Sequence, residues 1–315
     1  MPAIMATAPG KIILFGEHAV VYGRPAIAIP VKQIYARASI TANPAGQPGE
    51  IQIISRDIGL NSRLDHLPED HPIAITLRLV AEMLNISHLP AFRLQITSTI
   101  PIAAGLGSGT ATTVAIARAL SAFLGHPLED DQISHIAYTV DQRHHGTPSG
   151  IDNAVVAYAQ PIFFVRGLPF ERLCVRQPFT LVIGNTGVAS PTGQAVEDVR
   201  RGWQANPAAY ERIFDEIGWI TREARRAMEQ GLVADLGPLM TRNQALLREI
   251  DVSSPELDRL VDAALGAGAA GAKLCGGGRG GNMIALANPE SAGAVATALR
   301  GAGAVNVFAI LVSGS

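Results

Sequence analysis

The sequence predicts an α+β protein of two lobes, and three observations carry that prediction. The first third is rich in short apolar runs with alternating or β-branched residues. The second half alternates helical periodicity with apolar strands, and a glycine-rich loop sits between a strand and a helix. At 315 residues the chain can bury two separate cores. We place the boundary near residue 180, giving lobes at 1–180 and 181–315.

Taken in order, Ile12-Ile13-Leu14-Phe15 lies between Pro9-Gly10-Lys11 and Gly16-Glu17-His18 and predicts a short buried strand. Ala19 to Gly23 and Ala26 to Ile29 continue in strand-like fashion, followed by Ala36 to Thr41 and Glu50 to Ser55. Asn43 to Gly49 is a turn by composition and Leu60 to Asp70 a polar connection. Ile75, Leu79, Val80 and Met83 recur at helical spacing within Pro72 to Leu84, and Phe92, Leu94 and Ile96 then alternate as a strand. That strand leads to Pro101-Ile102-Ala103-Ala104-Gly105-Leu106-Gly107-Ser108-Gly109-Thr110-Ala111, and Ala111 to Leu124 reads as the next helix. Another helix, about Glu129 to Arg143, runs into a segment that Gly146, Pro148 and Gly150 force out of helical geometry.

Leu181-Val182-Ile183 looks like the first strand of the second lobe. Helical spacing then covers Gln194 to Trp203, Pro207 to Gln230, Leu232 to Ile250 and Pro255 to Leu265. Two apolar segments, Ala272 to Leu274 and Met283 to Ala287, flank Gly276-Gly277-Gly278-Arg279-Gly280-Gly281. A last helix, Pro289 to Arg300, leads into the strand Val305 to Val312.

Composition removes several function classes. A formal net charge of −2, with no local basic patch, offers no field for nucleic acid or an anionic membrane. Hydrophobic residues make up 48% of the chain, yet every apolar run is broken well short of the roughly 18 residues a membrane span needs. The start, Met1-Pro2-Ala3-Ile4-Met5, has no basic segment of the kind that precedes a secretory signal. Cys174 and Cys275 are too few for a disulfide framework and fit no zinc-ligand spacing, so a cytoplasmic location is expected.

The residues that carry chemistry point to phosphoryl transfer. Three glycines in Gly105 to Gly109, followed by a helix, make an anion site in outline, with backbone donors and a helix N-terminus favouring phosphate. Kinase chemistry is mostly positioning and charge neutralisation. It needs a cradle, a divalent cation, a residue that receives the acceptor proton, and often a lysine. Gly105 to Thr110 supplies the cradle, Asp141 an acidic metal ligand, Asp152 a base and Lys11 the cation. Bland readings stand beside these: Asp152 capping a turn, Lys11 as a solvated charge, and Asp141 paired with His145 across one helical turn. Gly276, Gly278 and Gly281 satisfy G-x-G-x-x-G, but they precede an apolar strand near the C-terminus, the wrong setting for a dinucleotide site. There is no Walker P-loop, no H-E-x-x-H zinc motif and no protein-kinase signature. The adjacent His144 and His145 make a poor metal pair.

Four segments resemble the signatures of the GHMP small-molecule kinases, in the same order and over nearly the whole chain. They are Pro9-Gly10-Lys11 with Gly16-Glu17-His18-Ala19-Val20-Val21-Tyr22-Gly23, Pro101 to Ala111, His145-Gly146-Thr147-Pro148-Ser149-Gly150-Ile151-Asp152, and Lys273 to Gly281. The second half of the first segment, paired with the third, is most similar to the mevalonate kinases. The resemblance implies a two-lobed GHMP kinase fold, with a phosphate loop in the N-terminal lobe and a ferredoxin-like C-terminal lobe. It also implies ATP- and Mg²⁺-dependent phosphorylation of the C5 hydroxyl of (R)-mevalonate, giving 5-phosphomevalonate for isoprenoid synthesis.

Matched position by position, Asp152 is the implied base and Lys11 its partner, while Pro101, Gly105, Leu106, Gly107, Ser108, Gly109 and Thr110 form the ATP loop. His18, Glu17, His145 and Thr192 fall on the substrate side, and Asp141 stands where the family usually has a glutamate that binds Mg²⁺. The substrates implied are mevalonate and ATP, and relatives of this type are often homodimers. The chain departs from the pattern at Gly109, where the family's loop has a second serine on Mg²⁺, so Ser108, Thr110 or water takes that role. It departs again at Cys275, where threonine is usual, and at Arg279, where glycine is usual; Arg279 reaches either an ATP phosphate or solvent. A related kinase or decarboxylase acting on a phosphorylated mevalonate or another small alcohol is the alternative, disfavoured because no Arg/Lys cluster surrounds His18 or His145. A catalytically silent ATP-binding protein is disfavoured because base and lysine are both present.

Overall fold

Two long strands, β1 (Ile4–Phe15) and β2 (Ala26–Ala42), pair with each other and begin the fold. The computed structural model describes residues 3–101, 105–145, 149–190 and 192–314, apart from the side chains of His144 and His145. β1 extends well upstream of the expected Ile12. Pro9 does not end it because, among the described residues, β1 pairs only with β2, and an edge strand tolerates the missing donor. Between the strands, Ala19–Tyr22 is a 3₁₀ turn rather than the expected strand. Left-handed backbone at Gly16 (φ 96°), His18 (φ 60°) and Gly23 (φ 79°) curls the chain there.

The chain divides into two compact units that exchange segments. One comprises Met1–Lys11, Pro30–Pro101 and Gly107–Ala159; the other comprises Ile12–Ile29, Ile102–Leu106 and Gln160–Ser315.

In the first unit the sheet runs β4 (Leu60–Arg63), β3 (Ile51–Ser55), β5 (Phe92–Ser98), β2. β3 is parallel to β5, with Ile53 opposite Leu94, and β5 is antiparallel to β2, with Leu94 opposite Ile40. All three side chains are buried, and burying each stabilises the core by about 1.5–3 kcal/mol. β4 lies in the stretch expected to be a connection. Its residues alternate between half-buried and exposed, which is the signature of a thin edge rather than a core strand. Helices α1 (Pro72–Met83), α2 (Ser108–Phe123), α3 (Asp130–His145) and α4 (Ile151–Tyr158) pack with one another, α2 touching each of the other three.

In the second unit the first residues of β2 pair with β6 (Ile162–Phe164), and β6 with β7 (Glu171–Arg172). A separate antiparallel sheet has the order β11 (Asn306–Val312), β8 (Phe179–Asn185), β10 (Asn282–Ala287), β9 (Gly271–Cys275). α8 (Pro255–Gly266) and α9 (Ala292–Gly301) pack against it, and α7 (Val233–Glu249) lies on β9. A side chain at Gly271 would collide with the Gly237 backbone, so these two glycines set the close approach of α7 to β9.

α6 (Pro207–Gln230) has the bounds its periodicity predicts, because both ends are signalled. Asn206 caps the Ala209 N–H, Pro207 opens the first turn, and Gly231 closes it in left-handed geometry (φ 78°). It packs on α7 and on the 3₁₀ turn, where Tyr22 stacks on Phe214 at 4.2 Å. α5 (Thr192–Ala205) precedes it. Among the described residues, no helix is long and apolar enough to cross a membrane. The mixed architecture, with two sheets and helices distributed among them, is the α+β class expected from the sequence.

Candidate active site

Lys11 lies within β1 with 7% of its surface exposed, and its Nζ is 2.9 Å from Asp152 Oδ1. Asp152 is the second residue of α4, directly after the left-handed Gly150 (φ 91°) and Ile151. The positive end of α4 therefore acts on its carboxylate together with Lys11. Gly107 is needed for two reasons: its φ is 77°, and a Cβ there would lie 2.8 Å from Lys11 Cγ. The glycine loop thus leaves room for the lysine stem.

α2 begins at Ser108, three residues before the expected Ala111. Gly107 is its left-handed N-cap, and Gly109 is an interior helical residue rather than part of a loop. The Ala111 N–H donates to Gly107 O at 2.9 Å, so the amides of Ser108, Gly109 and Thr110 precede the first intrahelical bond. No acidic side chain of this first turn competes with a phosphate for those donors. Gly105 is also left-handed (φ 73°) and exposed, whereas Leu106 is buried. Pro101 is half-buried, and Ile102, Ala103 and Ala104 lie outside the described residues.

Asp141 sits in the last turns of α3, and Thr110 Oγ1 donates to its Oδ2 at 3.0 Å. Burial pushes the Asp141 carboxyl up to about 6, and the neighbouring Asp152 charge adds to the shift. The Thr110 hydrogen bond and Lys11 act in the opposite direction. Two carboxylates close enough to repel, with hard oxygen donors and a single lysine, suit a divalent cation such as Mg²⁺. Among the described residues there is no group of three or more His, Cys, Asp or Glu able to hold a metal.

In the second unit, Glu17 is buried and pairs with Lys273 of β9, while Asn243 Nδ2 donates to its other oxygen at 3.3 Å. Lys273 Nζ also donates to Leu274 O at 2.7 Å. Next to Glu17, the His18 ring is held through Nε2 to Gly277 O at 3.1 Å. Burial lowers the His18 pKa to about 4, against a smaller upward effect of the Gly277 hydrogen bond and with a further downward push from Arg279. His18 is therefore neutral near pH 7, with its proton on Nε2. Its Nδ1 is a bare acceptor that is buried and has no hydrogen-bond partner among the described residues.

Thr192 opens α5 and packs against Gly277, where a Cβ would lie 2.7 Å from its Oγ1. The Arg279 guanidinium, partly exposed, pairs with Asp198 and donates to Asp251 O from Nε at 3.2 Å. Cys275 is buried, with Sγ 3.3 Å from Ile13 O.

The structure brings Lys11, Asp152, Thr110 and Asp141 into one cluster of the first unit, and Glu17 and His18 into contact with the β9 and Gly277 region of the second. The side chain of His145, and residues Gly146, Thr147 and Pro148, lie outside the described residues. Lys273, Asn243 and Asp198 join the site through packing rather than through any local signal in the sequence. Lys273 lay within a signature segment, but nothing in the chain marks Asn243 or Asp198 as partners.

Comparison with known proteins gives the family. Residues 73–160 match the model of the GHMP kinases N terminal domain, and residues 224–305 match the GHMP kinases C terminal model. The mevalonate kinase of Thermococcus sibiricus is 35% identical over 323 residues, covering 96% of this chain and 95% of the relative. Among solved structures, L. major mevalonate kinase in complex with R-mevalonate superposes with a TM-score of 0.84 at 30% identity, covering 100% of this chain and 97% of that one. Streptococcus pneumoniae phosphomevalonate kinase reaches a TM-score of 0.83 at 19% identity, covering 98% of this chain and 100% of that one, a likeness of fold alone. With both family models matched and a full-length relative at this identity, the chain belongs to the mevalonate kinases of the GHMP kinase family.

Proposed function

We propose that this chain is an ATP-dependent mevalonate kinase that transfers the γ-phosphoryl group to the C5 hydroxyl of (R)-mevalonate. The observation that carries the chemistry is the 2.9 Å pair between Lys11 and Asp152, in the same unit as the amides that open α2. The C5 oxygen attacks the γ-phosphorus as its proton passes to the Asp152 carboxylate. The bond from that phosphorus to the bridging oxygen breaks, and ADP leaves. Lys11 holds Asp152 in place and offsets the negative charge that builds on the attacking and transferred oxygens. The first-turn amides of α2 receive the phosphates.

Mg²⁺ with ATP completes this reading, and Asp141 is the residue we assign to hold the ion. When bound, Mg²⁺ neutralises charge on the phosphate oxygens. Ser108 and Thr110 are the hydroxyls nearest the missing loop serine. On the acceptor side, we assign His18, Glu17, His145 and Thr192 the substrate roles that the resemblance of their motifs implies. The bare Nδ1 of His18 supports a contact in which it accepts a hydrogen bond from a hydroxyl. The reading keeps a cytoplasmic enzyme, supported by two free thiols, and a homodimer as in relatives.

The test is an ADP-release assay with mevalonate, 5-phosphomevalonate, galactose and homoserine as acceptors. Mevalonate alone is expected to turn over, and no ADP release with mevalonate would refute the proposal. Asp152→Asn is expected to keep ATP binding while lowering kcat by roughly 10²- to 10⁴-fold; near-normal kcat would remove Asp152 as the base.

A further inference from the structure

We propose that Thr110 is a positioning residue that orients the Asp141 carboxylate for the divalent cation, and that it acts through Asp141 rather than as a metal ligand itself. The proposal rests on the reading of Asp141 as the cation's carboxylate. Its basis is the 3.0 Å hydrogen bond from Thr110 Oγ1 to Asp141 Oδ2. Thr110 is 5% exposed and is the third residue of α2, so its backbone amide belongs to the turn that opens toward phosphate. One residue therefore touches both halves of the site, with its N–H at the helix end and its hydroxyl on the carboxylate of α3.

The hydroxyl has a single proton, and that proton is committed to Oδ2. This restrains the rotation of the carboxylate, and Oδ1, which takes no part in that bond, is the oxygen we assign to the cation. Aspartate at this position has only two side-chain torsions, so one hydrogen bond from a stiff, β-branched neighbour is enough to define its orientation. The contact lies where α2 packs on α3, so its geometry is set by buried helix packing rather than by a mobile loop. Neighbouring Gly109 has no side chain to take over the task, and a Cβ there would meet nothing within 4 Å.

The experiment uses the full chain with Mn²⁺ as probe and a non-hydrolysable ATP analogue, reading Mn²⁺ affinity by electron paramagnetic resonance alongside thermal melts. Thr110→Val keeps the shape and removes the hydroxyl, and is expected to weaken Mn²⁺ binding roughly tenfold. Thr110→Ser keeps the hydroxyl and is expected to stay within about threefold of the parent chain. Thr110→Ala replaces the valine variant should the latter not fold. Unchanged Mn²⁺ affinity in Thr110→Val or Thr110→Ala, or a serine variant as weak as valine, would overturn the proposal. A melting shift without an affinity shift overturns it as well, because it marks a purely structural role. Asp141→Asn separates the two layers of argument. If it leaves Mn²⁺ binding intact, the assignment of Asp141 to the cation fails first; if it weakens binding while Thr110→Val does not, only the role of Thr110 fails.

Discussion

Lys11 Nζ lies 2.9 Å from Asp152 Oδ1, and the lysine stem reaches it across Gly107, where any side chain would collide with it. Two neighbouring glycines should therefore behave in opposite ways. Gly107→Ala imposes left-handed strain of about 1–2 kcal/mol and displaces Lys11. It should lower both the melting temperature and kcat. Gly109→Ser enters open space inside a helix and should hold or raise the melting temperature, by about 0.5 kcal/mol in stability. Thermal melts with parallel turnover assays check the contrast, and equal effects at both positions would contradict it.

Asp141 should make both stability and metal affinity depend on pH. Its folded-state pKa of about 6 lies above the 3.8 of an ordinary aspartate, chiefly through burial. The metal-free folded chain thus binds more protons than the unfolded chain between those values, so this group's contribution to stability falls as pH rises through about 6. Asp141→Asn removes a penalty on the order of 1–3 kcal/mol at pH 8 and should raise the metal-free melting temperature there, with the advantage shrinking toward pH 4. In the parent chain, Mn²⁺ affinity should drop below about pH 6. Melts from pH 4 to 8 with and without metal decide it.

His18 works in the opposite sense. Burial depresses its pKa to about 4 from 6.5, so the folded chain binds fewer protons than the unfolded one between those values. Its contribution to stability is complete above pH 6.5 and is lost as pH falls toward about 4. Proton NMR should show one imidazole that stays neutral down to about pH 4. His18→Gln should flatten the acid limb of the stability curve. A His18 resonance titrating near 6.5 would contradict the assignment.

The buried pair of Glu17 and Lys273 should show strong coupling. Lys273→Met alone strands a carboxylate in the core and is expected to destabilise by about 3–5 kcal/mol. Glu17→Leu combined with Lys273→Met should recover much of that loss, as urea denaturation of a double-mutant cycle would show. Additive single effects would mean that the two charges do not support each other.

Sequence legibility followed the kind of physics involved at each position. α6 was readable to the residue because proline, asparagine and glycine mark its ends. Gly109 reads as loop in the sequence, yet α2 begins at Ser108 on a left-handed Gly107. The apolar run at Ala19 reads as strand because nothing in it signals that His18 adopts positive φ, which curls the chain into a 3₁₀ turn. Lys11, Asp152 and Asp141 could be named from residue type and motif. The hydrogen bond of Thr110 to Asp141, and the pairing of Arg279 with Asp198, depend on packing between elements far apart in sequence. No local pattern encodes that.

The ion pair of Glu17 with Lys273 joins residues 256 positions apart. At about 5–20 residues per second of synthesis, roughly 10–50 s separate their appearance on the ribosome. Through that interval the Glu17 loop is made but lacks its counter-charge, and the second unit waits for its last strands. Birth of the chain is thus its most exposed moment, when proteases and chaperones compete for a loop whose Glu17 and His18 the finished protein buries.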